Sequence, residues 1–395
     1  MLDAKEQLKN YRMAAFVSVA VFCMGQIPGS IDAAISKITI YFNLSTTSGL
    51  YVTTVACIVS LVFSTILGFI AGKKIGFKPL IIFCATVELI SAVVPFFVDN
   101  FVFFIILRGL FGIGFGGMQS LENTVATKLI APERRAKILG LGTFFGFGMN
   151  CLLQFVGGIL ADFGWNYVFL NHLLLIIPYV IILIGLTKVD FNGFDKMPAE
   201  GTAAETVKKK LNGKVVQVWV LILFVGMMIA PLLVGCSFLS APLSDSATVA
   251  GIVAVAFSVG CMIGGLLYPR VLKAAKNGTL TVFMIIMIVG LVGCAAIKNI
   301  VALCIFTFIA GAGFAATQAT LMDILGKNTS PDKIALASAI MMALFNFGVF
   351  LCSSYEEIVG KITGDALYMP IYIGAGVLAV FTVIYAIFSP MKQKV

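Results

Sequence analysis

Long apolar runs alternate with short polar segments along nearly the whole chain. Twelve runs are long enough to cross about 30 Å of hydrocarbon, which takes roughly 20 residues of helix. They lie at 13–40, 48–72, 79–98, 101–127, 138–161, 167–187, 215–240, 247–269, 279–297, 300–325, 334–358 and 367–390. The pattern therefore predicts an all-α integral membrane protein with twelve transmembrane helices.

A long internal repeat divides these helices into two sets of six. Residues 112–136 recur without a gap as residues 311–335. Because the offset is about half the chain, we expect two six-helix lobes of common design, related by a pseudo-twofold axis. The polar stretch between the sets contains Pro, Gly and charges of both signs, which is typical of a solvated linker. We assign residues 1–187 to an N-terminal lobe, 188–214 to a cytoplasmic linker and 215–395 to a C-terminal lobe.

Composition and charge support this interpretation. Hydrophobic residues make up 60% of the chain and charged residues only 11%, against roughly a quarter charged in soluble domains. The net charge of +9 does not indicate nucleic-acid binding, because the basic residues lie in the short segments between apolar runs. All of the 27 Lys and Arg residues except Lys37, Arg108, Lys298 and Lys361 lie at the termini or in every second loop. The positive-inside rule then places both termini on the cytoplasmic side of the cell (plasma) membrane.

Several kinds of chemistry have no recognisable motif in this sequence. A phosphate-binding GxxxxGK[ST] loop and a GxGxxG loop after a strand are both absent, so we expect neither ATP nor a dinucleotide as cofactor. The nine cysteines fall inside apolar runs without CxxC spacing, which predicts no metal site. The single histidine, His172, is interpreted as a packed or interfacial imidazole, with pH sensing as the alternative. No nucleophile and base are paired, so an enzyme is not expected.

Ionisable side chains inside the apolar runs are costly to bury and are therefore functional candidates. The candidates for proton coupling are Asp32, Glu88, Arg108 and Glu122. Asp32 and Arg108 lie at similar depth, which makes an ion pair plausible. Arg108, Phe115, Gln119 and Glu122 recur on one face of the fourth helix, so that face is expected to line water or a cavity. The alternative is a packing amide with a structural ion pair.

Polar and aromatic side chains at mid-depth are candidates for the wall of that cavity. The predicted substrate-binding residues are Gln26, Phe115, Gln119, Asn150, Gln154, Gln318 and Asn346. Because Gln318 repeats Gln119, the two glutamines are expected to face each other across the interface between lobes. Each polar residue could instead make an interhelical hydrogen bond worth about 1 kcal/mol.

Three short motifs resemble the major facilitator superfamily. Arg108 followed by Gly112, Gly114 and Gly116 is similar to the family's fourth-helix signature. The segments 132–137 and 164–169 resemble the loop after that helix and the turn after the fifth helix. The resemblance covers essentially the whole chain and implies the major facilitator fold, with small-molecule transport by alternating access.

The loops expected to form the family's cytoplasmic gate are only partly preserved. The segment 68–78 keeps the glycines and basic residues of the family motif but lacks its aspartate. The predicted gate residues are Gly68, Lys73, Gly76, Lys78, Glu133, Arg134 and Arg135. A latch built on the missing aspartate is not expected here.

The acid in the first helix and the arginine in the fourth resemble the drug:proton antiporter branch, although the fifth helix lacks the proline of that branch's signature. The leading interpretation is therefore proton-coupled efflux of amphipathic small molecules by a monomer in the lipid bilayer. Asp32, Glu88 and Glu122 would carry protons and Arg108 would tune them. The alternative is proton-coupled uptake or exchange of an organic anion or other metabolite, with Arg108 binding a carboxylate. A non-transporting sensor or membrane enzyme is the third class, and no site for it is visible.

Overall fold

The computed structural model describes residues 4–27, 29–71, 74–130, 132–188, 213–329 and 334–388. The described part contains fourteen α-helices, seven on each side of the predicted linker. The first seven are α1 (Ala4–Gly25), α2 (Ile35–Tyr41), α3 (Thr46–Ile70), α4 (Phe77–Val93), α5 (Phe101–Leu129), α6 (Pro132–Phe163) and α7 (Ile176–Lys188). The other seven are α8 (Gly213–Leu233), α9 (Cys236–Ser240), α10 (Ala247–Ala275), α11 (Thr279–Ala296), α12 (Ile300–Asn328), α13 (Ile334–Thr363) and α14 (Met369–Phe388).

The predicted all-α membrane fold is confirmed, and each of the twelve apolar runs falls on one or two of these helices. By length and hydropathy, nine stretches of the described chain could cross a membrane. One of them, Ala247–Ala296, contains both α10 and α11, whereas α13 is not among the nine and the apolar part of α1 is shorter. The count of twelve spans therefore stays a prediction. Most of the predicted linker, residues 189–212, lies outside the described residues.

Helix packing divides the described chain into two groups. Helices α1 to α7 pack mainly on one another, as do helices α8 to α14. We call these groups the first lobe and the second lobe. Two pairs of long helices provide most of the contact between them, α6 with α10 and α3 with α13. In chain order, α10 is the counterpart of α3 and α13 is the counterpart of α6. A rotation that exchanges the lobes therefore turns the pair α6–α10 into the pair α13–α3. This is the packing expected of a pseudo-twofold relation.

The repeated glycines lie where helices touch inside each lobe. A methyl group at Gly112 would overlap the carbonyl oxygen of Ala56 on α3, and one at Gly311 would overlap that of Phe257 on α10. Gly114 likewise packs on the backbone of α4 and Gly313 on the backbone of α11. The repeat therefore encodes the close approach of α5, and of its counterpart α12, to two neighbours each.

Among the described residues, hydrogen bonds between the two lobes occur along only part of the depth of the bundle. We call the end of the bundle that holds Lys188 and Gly213 the linker end, and the opposite end the far end. Near the far end, the Tyr51 hydroxyl lies 3.0 Å from that of Ser354 and the Thr54 hydroxyl lies 3.1 Å from that of Ser353. All described hydrogen bonds between the lobes lie from mid-depth to the far end. The lobes are thus closed together at the far end.

Candidate functional site

The first predicted membrane run is interrupted in its outer part. Helix α1 ends at Gly25, and the chain returns to helical geometry only at the 3-10 turn Asp32–Ala34 before α2. Backbone polar groups freed inside a membrane must be satisfied by neighbours. The Asn171 amide does this by donating to the Ser30 carbonyl at 2.7 Å and to the Leu153 carbonyl at 2.8 Å. Broken helices of this kind build the binding sites of many transporters.

His172 supports the same break and is not exposed to water. Its ring is fully buried, its Nε2 lies 2.8 Å from the Ser30 hydroxyl and its Nδ1 lies 3.2 Å from the Phe169 carbonyl oxygen. The side chain is a packed imidazole, as the first of the two interpretations of His172 expected.

Asp32 and Arg108 are both fully buried near the break, yet they do not form the expected direct ion pair. The Arg108 Nε donates to the Val52 carbonyl at 3.1 Å, and its guanidinium carbon lies 4.6 Å from the centre of the Phe111 ring. Asp32 packs instead beside Gly29. The arginine head is thus held by α3 and by the Phe111 ring rather than by the carboxylate. Within the described residues, neither oxygen of Asp32 and neither terminal nitrogen of Arg108 has a hydrogen-bond partner.

Glu122 and Gln26 meet between α1 and α5. The Gln26 amide donates to one carboxylate oxygen of Glu122 at 2.7 Å, while the other oxygen has no partner in the described part of the chain. Phe115, two turns earlier on α5, is buried and stacks in parallel on Phe111 with ring centres 5.9 Å apart. The structure thus places Glu122, a predicted proton-coupling residue, in contact with Gln26, a predicted substrate-binding residue.

Predicted amides also join the two lobes at mid-depth. The Asn346 amide on α13 donates to the Gln119 side-chain oxygen on α5 at 3.2 Å, and lies 3.4 Å from the Ser60 hydroxyl on α3. Gln318 does not meet Gln119 directly, since its amide contacts the Met342 sulfur at 3.6 Å. Both glutamines therefore reach α13, one turn apart.

A second group of polar side chains spans the other lobe interface. Asn150 donates to the Ser258 hydroxyl at 3.2 Å, and that hydroxyl donates to the Gln154 side-chain oxygen at 2.9 Å. The Gln154 amide and the Asp32 carboxylate both lie against Gly29. The interface network between α6 and α10 therefore reaches the acid at the break in the first helix.

Glu88 is separate from these groups. It is fully buried between α4 and α5, where its backbone packs on Gly114, and neither of its carboxylate oxygens has a partner in the described region. Its counterpart across the lobes is Met287, whose backbone makes the same contact with Gly313. A proton-coupling role for Glu88 stays a prediction.

The predicted gate residues are only partly described. Gly68 lies in α3, Gly76 precedes the first residue of α4, and Lys78 lies in the first turn of α4. Arg134 is exposed on α6, with its guanidinium carbon 4.6 Å from the centre of the Tyr11 ring in the same lobe. Lys73 and the side chains of Glu133 and Arg135 lie outside the described residues, so the gate stays a prediction.

Two hydroxyls and one acid were missed by the sequence analysis. Ser60 and Ser258 bridge the lobes, but serines are too common in apolar runs to be singled out. Glu356 is only 6% exposed, accepts a hydrogen bond from the Cys352 thiol at 3.4 Å and lines a small cavity that both lobes enclose. It lies in the eleventh run, so the rule that selected Glu88 would also have selected it.

Comparisons with known proteins agree with the sequence motifs and the packing. Residues 16–245 match the sequence profile of the Major Facilitator Superfamily. A mutant of the nucleoside transporter NupG is similar in fold, with 16% identity, 97% of this chain and 100% of that chain covered, and a TM-score of 0.73. A D-xylose-proton symporter is also similar, with 15% identity, coverage of 94% and 96%, and a TM-score of 0.74. At these identities, the likeness to the two solved structures concerns the fold.

Proposed function

Because this chain belongs to the Major Facilitator Superfamily, a group of membrane transporters rather than enzymes, we propose that it is a proton-coupled secondary transporter that exports neutral or cationic amphipathic molecules. The observation that carries the proposal is the Glu122–Gln26 pair. One oxygen of this buried carboxylate has no partner in the described residues, and no ion pair compensates its charge there. A buried carboxylate without a cation is costly unless it takes up a proton or meets a positive cargo.

The position of Glu122 favours coupling to the movement of the lobes. It lies one turn from Gln119, which is hydrogen-bonded to Asn346 of the second lobe. If the lobes separate around this contact, water reaches Glu122 from one side of the membrane and then from the other. This alternation is what proton coupling requires.

The surroundings of Arg108 favour a cargo without a carboxylate. Arg108 is fully buried, with its head against the Val52 carbonyl and the Phe111 ring. Its terminal nitrogens have no described partner, but they are buried, so a substrate anion would have to reach them inside the packed first lobe. We therefore favour neutral or cationic cargo, and the organic anion stays the alternative.

Uptake of a neutral polar metabolite is the second candidate. The Gln119–Asn346 contact and the Asn150–Ser258–Gln154 network offer amides and hydroxyls that suit a cargo with several hydrogen-bonding groups. The similar solved structures are a nucleoside transporter and a D-xylose-proton symporter. In both candidates we place the termini and the linker 188–214 in the cytoplasm, the lobes at 1–187 and 215–395, and the protein as a monomer in the plasma membrane.

Transport in inverted membrane vesicles separates the two candidates. We expect an imposed pH gradient that is acidic inside the vesicles to drive ethidium into them. Radiolabelled uridine and xylose should not accumulate, and a proton ionophore should abolish the accumulation of ethidium. Gradient-driven movement of uridine or xylose in right-side-out vesicles would favour uptake instead. Glu122→Gln should lose the dependence on the gradient, whereas Glu357→Gln, at an exposed acid paired with Lys361, should keep it. Ionophore-insensitive transport of every probe would overturn proton coupling.

A further inference from the structure

Asp162, at the far end of α6, is bound by both lobes at once. In its own lobe it pairs with Lys37, whose Nζ lies 2.8 Å from Oδ1. From the second lobe it accepts the backbone N–H groups of Ala247 at 2.7 Å and Thr248 at 3.1 Å. The hydroxyls of Ser246 and Thr248 also donate to it, at 2.8 and 2.7 Å. One carboxylate thus receives five hydrogen bonds, four of them across the lobe interface.

These contacts supply the N-terminal cap of α10. Ser246 occupies the N-cap position of that helix, but its side chain makes no capping hydrogen bond. Asp162 accepts the N–H groups of the first turn instead, and its negative charge also complements the positive end of the helix dipole. The equivalent helix of the first lobe, α3, is capped by its own residue, because the Ser45 hydroxyl accepts the Ser48 N–H at 3.1 Å. Helix α10 is therefore capped only while the lobes touch at the far end.

The other interface between the lobes has no comparable charge among its described hydrogen bonds. There α3 and α13 meet through the neutral hydroxyl pairs Tyr51–Ser354 and Thr54–Ser353. Neutral hydrogen bonds are about half as strong as those to an ionised group. The interface between α6 and α10 therefore contributes more to holding the far end closed.

We propose that Asp162 is the far-end latch of this transporter: its cap on α10, braced by Lys37, stabilises the far-closed conformation and breaks each time the far end opens. The side chains of Lys37 and Asp162 are 28% and 32% exposed. Water can therefore reach both groups as the lobes separate, so opening leaves neither charge buried without a partner. The proposal rests on the alternating access of the proposed function, and it makes Asp162 a positioning residue rather than a substrate contact.

Distance measurements between the lobes test the latch without any substrate. Spin labels at Asp99→Cys and Lys298→Cys would mark two exposed far-end loops, one in each lobe. Protein without the added cysteines sets the background from the nine native cysteines, seven of which are buried. We expect Asp162→Asn to raise the ratio of far-open to far-closed molecules about tenfold, the effect of losing a charged helix cap. Thr248→Val should shift the distances in the same direction by less.

Two matched variants separate the latch from general effects. Asp245→Asn removes an exposed carboxylate close by that makes no described contact with α10, and Ser45→Ala removes a helix cap that does not cross the interface. Both should leave the distance distribution unchanged. The latch would be overturned if the spin-label distances were unchanged in both Asp162→Asn and Thr248→Val. This conclusion requires that the distances respond to an imposed pH change in the same preparations. A single fixed distance at every pH, in spin-labelled protein that keeps Asp162 and Thr248, would instead contradict alternating access itself.

Discussion

The two lobes share their packing but not their charges. Gly114 rests on the backbone of Glu88 in the first lobe, and Gly313 rests in the same way on Met287 in the second. Counting only Asp, Glu, Lys, Arg and His, the described part of the first lobe buries five such side chains, and that of the second buries one. These residues are Asp32, Glu88, Arg108, Glu122 and His172 in the first lobe and Glu356 in the second. The duplicated feature is thus the helix scaffold, and the ionic chemistry is concentrated in one copy.

Glu88 and Met287 make this difference concrete. The two side chains have similar length and volume, and their backbones make equivalent contacts, so packing alone would accept methionine at either position. A carboxyl group without a partner is the costlier choice inside a membrane. Its presence in only one lobe favours a functional role there rather than a structural one.

Removing the buried acids of the first lobe should have the largest effect. We expect Asp32→Asn combined with Glu88→Gln to abolish gradient-driven accumulation, because neither amide can take up and release a proton. Exchange of cargo across vesicles without a gradient should survive. Glu88→Met, which copies the second lobe, should keep the fold while reducing coupling. Full proton-driven accumulation in the double variant, measured with and without ionophore, would show that neither Asp32 nor Glu88 is needed for coupling and would leave Glu122 as the candidate proton carrier.

Breaking the shared scaffold should affect both lobes equally. A methyl group at Gly114 or at Gly313 would overlap the backbone of the neighbouring helix. We expect Gly114→Ala and Gly313→Ala each to destabilise the detergent-solubilised protein by about 1–3 kcal/mol, the usual range for overpacking. Thermal unfolding measures this loss. Gly148→Ala and Gly376→Ala, one in each lobe and with open space around the added methyl, should be neutral or slightly stabilising. Strong destabilisation in only one lobe would contradict the equivalence of the repeats.

Arg108 sharpens the comparison, because the second lobe has no buried arginine in the described residues. Arg108→Lys keeps a positive charge at similar depth but loses the fork of the guanidinium. The fork makes only the Nε bond to Val52, so folding should survive and transport should fall only a few-fold with a shifted pH optimum. Initial rates against pH and cargo concentration separate this outcome from substrate binding. A KM raised by about 10- to 100-fold at an unchanged pH optimum would restore the anion-binding role.

The fold could be predicted from the sequence because its signals are local and repeated. Twelve apolar runs and the glycines of residues 112–117 and 311–313 dictate helices and their close contacts, and the resemblance to the superfamily was confirmed. Contacts between lobes are different, since their hydrogen bonds join residues 84 to 303 positions apart. Asp162 lies one residue beyond the fifth predicted run, and nothing nearby in the sequence indicates that it caps α10.

The ionisable residues show the same limit. Burial of Asp32, Glu88, Arg108 and Glu122 followed from their position in apolar runs, and the structure agrees. Partners did not follow, because depth along a helix leaves the direction of a long side chain open. Arg108 turns toward α3 and Phe111 rather than toward Asp32. The drug:proton antiporter branch stays a prediction for a similar reason, since it depends on how such residues are paired.

The smallest expected effect tests whether the amides of the two lobes act together. Gln119 and Asn346 are hydrogen-bonded across the interface at 3.2 Å, whereas Gln318 contacts Met342 within its own lobe. Replacing Gln119 or Asn346 by alanine should each raise KM about threefold, and the double variant should be less than additive by about 0.6 kcal/mol, as found on average for polar pairs in membranes. The pair Gln318→Ala and Asn346→Ala should be additive, because no described hydrogen bond joins them. If the effects of Gln119→Ala and Asn346→Ala on KM were additive, their hydrogen bond would not contribute to cargo binding. The second lobe would then contribute only packing at this depth.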